Sequence, residues 1–267
     1  MKTIVLGMIL MLCATTAQAG GQRLVLTGSS TVAPLALEIG KRFEQQHPGV
    51  RVDVQTGGST RGVLDARSGV ADIGMASRAL KPKEHDLTSH LIGMDGISMI
   101  VHRDNPIAAL DDKQIIALFT GEIHNWKALG GEDRAITVVN KAEGHSTLEL
   151  FLHHFGLKNS QIKASVIIGD NQQGIKTVAG NPYAIGYVSI GTAEYEEAAG
   201  TPIKRLPMAG IAPTTENVRK GSFPLSRPLN LVTKGTPSPL AQQFIDFAQS
   251  PAVRDLVEAQ FFVATQH

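Results

Sequence analysis

The chain has 267 residues, 42% hydrophobic and 18% charged, which supplies a large core and too little net charge to keep the polypeptide unfolded. Lys and Arg number 25 against 24 Asp and Glu, aromatic residues make up 5%, and no dense basic stretch interleaves with aromatics, which excludes bulk affinity for nucleic acid or an anionic membrane. The length fits one large domain or two of about 100 to 150 residues each.

Lys2 precedes an apolar run from Ile4 to Ala14, which ends in Thr15-Thr16-Ala17-Gln18-Ala19. Small residues at Ala17 and Ala19 suit cleavage after Ala19, so residues 1–19 read as a secretory signal peptide. A membrane span needs about 20 apolar residues, and this run is about half that. The only cysteine, Cys13, follows the bulky Leu12 rather than a small residue, so a lipid-modified start is not expected. Without Lys2 the 25 basic residues become 24, against 24 acidic, and the mature chain is neutral with no cysteine for a disulfide or a Cys-based metal site. The expected product is a soluble exported protein.

Strand-like and helix-like segments alternate along the rest. Leu24 to Leu26 runs through Thr27-Gly28-Ser29-Ser30-Thr31 into Val32, Leu35, Ala36, Ile39 and Phe43, which share one helical face. Val50 to Val54 leads through Thr56-Gly57-Gly58-Ser59-Thr60 into a short amphipathic segment, and Asp72 to Arg78 starts the pattern a third time. Ile97 to Val101 predicts a buried strand, and Asp111 to Phe119 a helix with an Asp cap. Ala135 to Val139 runs through Asn140 to Thr147 into Leu148, Phe151, Leu152 and Phe155, spaced as the stripe of a packed helix. Strands at Val166 to Ile168 and Ile185 to Val188 flank a helix around Gly174 to Ala179. Thr201 to Pro213, with three prolines, reads as a surface connection. Leu229 to Val232 is a strand, and two closing helices are divided by Pro251.

This alternation predicts an α/β protein with mostly parallel sheets, which bind ligands at the carboxyl ends of their strands. Four polar, Gly-rich loops stand there, offering hydroxyls and backbone N–H groups. A helix N-terminus carries unpaired donors and about half a positive charge, so several converging ends would hold an anion without a basic protein. Ser30, Thr31, Ser59 and Ser146 could each instead simply cap a helix. Their recurrence in successive strand-to-helix loops points to a site.

The segments Thr27 to Pro34, Thr56 to Thr60, Ala71 to Arg78 and Lys141 to Thr147, in this order, resemble the phosphate-binding proteins of bacterial ABC importers. The later stretch Thr214-Thr215-Glu216-Asn217 to Phe223-Pro224-Leu225-Ser226-Arg227-Pro228-Leu229 matches as well. The resemblance spans essentially the whole mature chain. It implies the type 2 periplasmic binding-protein fold, with two lobes closing on one ligand in the cleft between them. Residues 20–99 plus 214–267 would form the first lobe and residues 100–213 the second, with crossovers near Ile100 and Ala212 placed by analogy.

Carried over by position, the resemblance makes Ser30, Thr31 and Ser59 donors to phosphate, puts Ser77 or Arg78 at the third loop, and adds Lys141, His145, Ser146 and Thr147 from the fourth. Gly144 and Glu143 would support them, Glu143 by pairing with Lys141 or Arg78. Asp72 would brace its loop. The family commonly has Arg where Lys141 stands and a hydroxyl where His145 stands. Lys141 keeps the attraction without the planar fork, and His145 brings an imidazole that titrates near neutrality. Some relatives carry an aspartate in the third loop that accepts the proton of hydrogen phosphate; Ser77 occupies that place, which leaves sulfate as an alternative ligand.

The implied function is an exported, monomeric receptor that binds inorganic phosphate and delivers it to ABC importer membrane subunits, without cofactor, metal or catalysis. A phosphate-ester hydrolase and an adhesion or sensing protein are the other classes. Hydrolysis lacks a G-x-S-x-G elbow, nucleotide binding lacks its Gly-rich fingerprints, and the adjacent His153 and His154 cannot share a metal as an i, i+4 pair would.

Overall fold

In a computed structural model of the chain, residues 21–265 are described. The signal peptide read over residues 1–19 lies outside them. One lobe starts with β1 (Gln22–Gly28), α1 (Ala33–Gln46), β2 (Val50–Thr56), α2 (Ser59–Ser68) and β3 (Ile73–Ala76). The chain then enters β4 (Leu87–His102), 16 residues long. The other lobe holds α3 (Asp112–Thr120), β5 (Thr137–Lys141), α4 (Ser146–Phe155), β6 (Val166–Ile168), α5 (Asn171–Ala179), β7 (Ala184–Ser189), α6 (Ile190–Ala198) and β8 (Ile203–Leu206). A short α7 (Thr215–Arg219) leads back to β9 (Ser226–Lys234), α8 (Pro239–Gln249) and α9 (Arg254–Ala259).

The strands run in the order β2-β1-β3-β9-β4-β7-β5-β6, with β8 also on β4. β4 joins the lobes: Leu87 to Gly96 pair with β9, and Ile97 to Val101 pair with β7. The expectation of mostly parallel sheets is corrected. Among the described residues the pairings β1–β2, β1–β3, β5–β6 and β5–β7 are parallel, whereas β3–β9, β4–β9, β4–β7 and β4–β8 are antiparallel. The antiparallel ladders are those of the strands that carry the chain between the lobes.

Two large clusters of buried apolar side chains form the core, and the second also takes in Val218, Phe223 and Leu225 from the returning chain. Leu35, Ile39 and Phe43 of α1 pack with Leu24, Leu26, Phe244 and Ile245 in the first lobe. Leu148, Phe151 and Phe155 of α4 pack with Leu118, Phe119 and Trp126 in the second, where Phe151 stacks on Tyr187 at 4.1 Å. The predicted helical stripes therefore lie in the cores. Burying each such side chain contributes about 1.5–3 kcal/mol. The stretch Thr201 to Pro213 is more than a surface connection: β8 pairs there with Met99 to His102, and Ile203 and Leu206 are buried. Its four residues are too few to show a period between flanking prolines. No helix among the described residues is long and apolar enough to cross a membrane.

Candidate functional site

Three strand-to-helix loops, two of them from opposite lobes and in backbone contact, and the loop after β3 meet at one small pocket. It is lined by Ser29, Ser30, Thr31, Gly58, Ser59, Ser77, His145, Ser146 and Thr147. Seven of the residues expected from sequence thus come together: Ser30, Thr31, Ser59, Ser77, His145, Ser146 and Thr147. The close approach depends on Gly58, whose φ is +89° and whose missing Cβ would stand 2.6 Å from the Gly144 carbonyl oxygen. That same oxygen accepts a hydrogen bond from the Thr60 amide at 3.0 Å, joining the lobes backbone to backbone.

Ser59 and Ser146 do not cap their helices, whereas Ser29 Oγ accepts from the Thr31 and Val32 amides at the entry to α1, at 3.2 and 3.3 Å. Helices α3, α5, α6, α7 and α8 begin with side-chain caps from Asp111, Asp170, Ser189, Thr214 and Ser238. The three helices that start at the pocket, α1, α2 and α4, have no side-chain cap at their N-cap residues. Their first turns point partial positive charge at the pocket. The hydroxyls also bond to one another. Ser29 Oγ donates to Ser77 Oγ at 2.9 Å, Ser77 Oγ and Ser146 Oγ are 2.6 Å apart, and Ser59 Oγ donates to Ser146 Oγ at 3.1 Å. The Ser77 amide donates to Ser59 Oγ at 3.1 Å.

Arg227, at 1% exposure, supplies the fixed charge beside these hydroxyls. Its Nε and Nη2 donate to Asp95 Oδ2 at 3.1 and 2.9 Å, while Nη1 reaches Thr147 Oγ1 at 3.0 Å and Nη2 reaches Thr31 Oγ1 at 3.1 Å. Asp95 Oδ1 accepts from the Gly191 amide at 3.1 Å. Thr31 Oγ1 also accepts from Asn171 Nδ2 at 3.1 Å, so both its lone pairs are taken and its proton is left to donate into the pocket. Asp95, Asn171, Ser29 and Gly58 were not singled out from sequence, nor was Arg227, although it lies in a matching segment. The Asp95–Arg227 pair is set by the register of β4 on β9, across 132 residues.

A model of the PBP superfamily domain matches residues 14–252. A putative phosphate ABC transporter substrate-binding protein from Clostridium perfringens, solved with bound phosphate, aligns at 32% identity with a TM-score of 0.85, over 92% of this chain and all of that one. The chain belongs to the phosphate-binding proteins of the PBP superfamily. An ABC-type phosphate transport receptor from Vibrio cholerae aligns at 28% identity and a TM-score of 0.74, covering 91% of this chain and 100% of that one. The phosphate-binding protein PstS of Bacillus subtilis is 28% identical over 235 residues, 86% of this chain and 76% of the relative. These relatives are binding proteins with the two-lobe periplasmic binding-protein fold.

Two residues expected at the ligand of this phosphate-binding protein, and one expected to support them, lie elsewhere. Arg78 does not line the pocket: Nη1 and Nη2 grip Glu84 at 2.7 and 3.0 Å, and Nε lies 3.0 Å from Glu149. Lys141 is buried behind the pocket, where Nζ donates to Asn171 Oδ1 at 3.0 Å. Burial is the main influence on it, opposed by Asp170 and reinforced by Arg227, and it brings the pKa down to about 7. Glu143 pairs with neither Lys141 nor Arg78; it accepts from Asn159 Nδ2 at 2.8 Å. Asp72 bonds the Val25 amide at 2.8 Å and braces β1.

His145 is held below the ordinary histidine range. Burial, aided by Lys141, lowers its pKa below the ordinary histidine value against the opposing pull of the Ala142 and Glu143 carbonyls and Asp170, so the ring is neutral at pH 7. Its Nδ1 is 3.1 Å from the Ala142 carbonyl oxygen, which can only accept. The proton therefore sits on Nδ1, and Nε2 carries the lone pair.

Proposed function

We propose that the mature chain is an exported receptor that binds inorganic phosphate between its lobes and hands it to the membrane subunits of an ABC importer. The observation that carries this reading is the convergence of three helix starts from both lobes, those of α2 and α4 without a side-chain cap, on a hydroxyl-lined pocket backed by Arg227. Each hydroxyl can donate to a phosphate oxygen, and backbone N–H groups add donors without adding charge. The low polarity of the buried surroundings strengthens each of these bonds. Residues 1–19 would direct export to the periplasm, and the receptor would work as a monomer without cofactor or metal.

The chemistry is binding rather than bond breaking. His145 makes its hydrogen bond to the Ala142 carbonyl, and among the described residues no hydrogen bond joins its ring to a pocket serine as a base–nucleophile pair would. Sulfate is the second reading, favoured by a pocket lining that contains no carboxylate to accept a proton from hydrogen phosphate. Accepting that proton would fall to the Nε2 lone pair of His145, a residue of the pocket lining, and this favours phosphate.

Thermal unfolding of anion-stripped protein with phosphate, arsenate and sulfate tests the reading. A ligand at about a thousand times its Kd adds about 4 kcal/mol, and each kcal/mol moves the midpoint of a chain this size by about 2–4 °C. Phosphate and arsenate should raise Tm by about 8–16 °C and sulfate should not. No shift with any of the three would overturn the receptor reading, and a shift with sulfate alone would establish the second one.

A further inference from the structure

A cluster of charges outside the anion pocket ties the two lobes together. Arg78, Lys81 and Glu84 lie between β3 and β4, and Thr60 lies on α2, all in the first lobe. Glu149 is on α4 in the second, one turn beyond Ser146, whose hydroxyl lines the pocket. Its Oε1 accepts from Thr60 Oγ1 at 2.9 Å, and its Oε2 lies 2.9 Å from Lys81 Nζ and 3.0 Å from Arg78 Nε. Among the described residues, the ion pairs that run from one lobe to the other are these two, both to Glu149.

The charges on the first-lobe side do not cancel. Glu84 neutralises one of the two cations through its paired bonds to Arg78, and a single positive charge remains over Arg78 and Lys81. Glu149 supplies the missing negative charge from across the cleft. Its Oε2 and Arg78 Nε are buried and within ion-pair range, yet they lie off the axis of a well-formed hydrogen bond. The Arg78–Glu149 contact is therefore held by charge, and the Thr60 hydroxyl supplies the directional bond that parts with it. Glu149 also places a negative charge on the first turn of the helix whose start faces the pocket. An unpaired carboxylate there repels a bound anion, and Arg78 and Lys81 cancel that repulsion only when the lobes are together.

Resting on the phosphate-receptor reading, we propose that Glu149 is a closure latch: a positioning residue that sets phosphate affinity by pairing with Arg78 and Lys81 across the cleft, without touching the anion. Its effect is on the rate of opening. Glu149→Gln keeps the size and the Thr60 bond but removes the charge, so phosphate should dissociate about tenfold faster with little change in the association rate.

The experiment is stopped-flow and equilibrium phosphate binding on the wild type, Glu149→Gln, Lys81→Met and the double variant, with Tm of each anion-stripped protein. The latch predicts weaker binding by either single variant, a double variant no worse than the weaker single one, and anion-free Tm values within about 2 °C of the wild type. Unchanged or tighter binding by Glu149→Gln overturns the latch, because it means the carboxylate acts on the anion only by repulsion or not at all. Additive losses, or losses matched by falls in anion-free Tm, overturn it in favour of a structural role. A wild type that binds no phosphate refutes the receptor reading instead. The latch is then read by X-ray scattering, where Glu149→Gln should be more open than the wild type and an identical profile refutes it.

Discussion

Phosphate binding should draw a proton onto Lys141. The ammonium is 1% exposed, its hydrogen-bond partner is the neutral Asn171, and its pKa stands at about 7. At about pH 8 such a group is about one-tenth protonated. A phosphate dianion in the pocket would bond Thr31, which is linked to Lys141 through Asn171. An opposing charge raises a buried cation's pKa by about 1–3 units, here to about 9. Lys141 then becomes about nine-tenths protonated, so about 0.8 proton is taken up per phosphate bound near pH 8. The pKa is higher in the bound form, so uptake occurs between about pH 7 and 9 and vanishes below about pH 6. Affinity accordingly falls with rising pH, by about sixfold per pH unit around pH 8. Calorimetric titration in buffers of different ionisation enthalpy reads the proton count as a slope. Phosphate's own ionisation contributes equally to the wild type and to Lys141→Met, so the difference between their slopes isolates the lysine. Equal slopes would refute the reasoning, since they would mean that the buried ammonium does not feel the anion.

Two further substitutions probe the frame of the pocket. Arg227→Met leaves Asp95 buried without its partner and should cost about 3–5 kcal/mol of stability, read as a fall in Tm. Adding Asp95→Asn should recover part of that stability and none of the phosphate affinity, and a double variant that binds as the wild type would remove Arg227 from the site. Gly58→Ala places a methyl group where the Gly144 carbonyl stands and an L-residue at φ +89°, so phosphate affinity should fall about tenfold or more. An unchanged Kd for that variant would show that the lobes need not approach as closely as Thr60 and Gly144 do.

What could be read in advance was what is local in the chain. The run from Leu24 to Phe43 contains strand, turn and helix within about 20 residues, and the stripe Leu148, Phe151 and Phe155 carries its own period. Loop hydroxyls were legible for the same reason. Pairings across the chain were not. Nothing near Arg78 says that its partners are Glu84 and Glu149 rather than an anion, because a lone arginine reads the same in either role. Asp95 and Arg227 meet only because β4 and β9 run antiparallel in one particular register. Asn171 had a readable signal that went unused: Asp170 and Gln173 form a capping box, which starts α5 at Asn171 and so brings that side chain to Lys141 and Thr31.

A carrier has to let go as readily as it holds. Serine hydroxyls can exchange the roles of donor and acceptor by rotating one bond. The chain of Oγ contacts from Ser29 through Ser77 and Ser146 to Ser59 means that these groups satisfy one another when no cargo engages them. A departing anion then strands no buried hydroxyl, whereas a lining of cations would be left with charge that only another anion could quench. Unloading is cheap for such a lining, and the same molecule is ready for the next cycle.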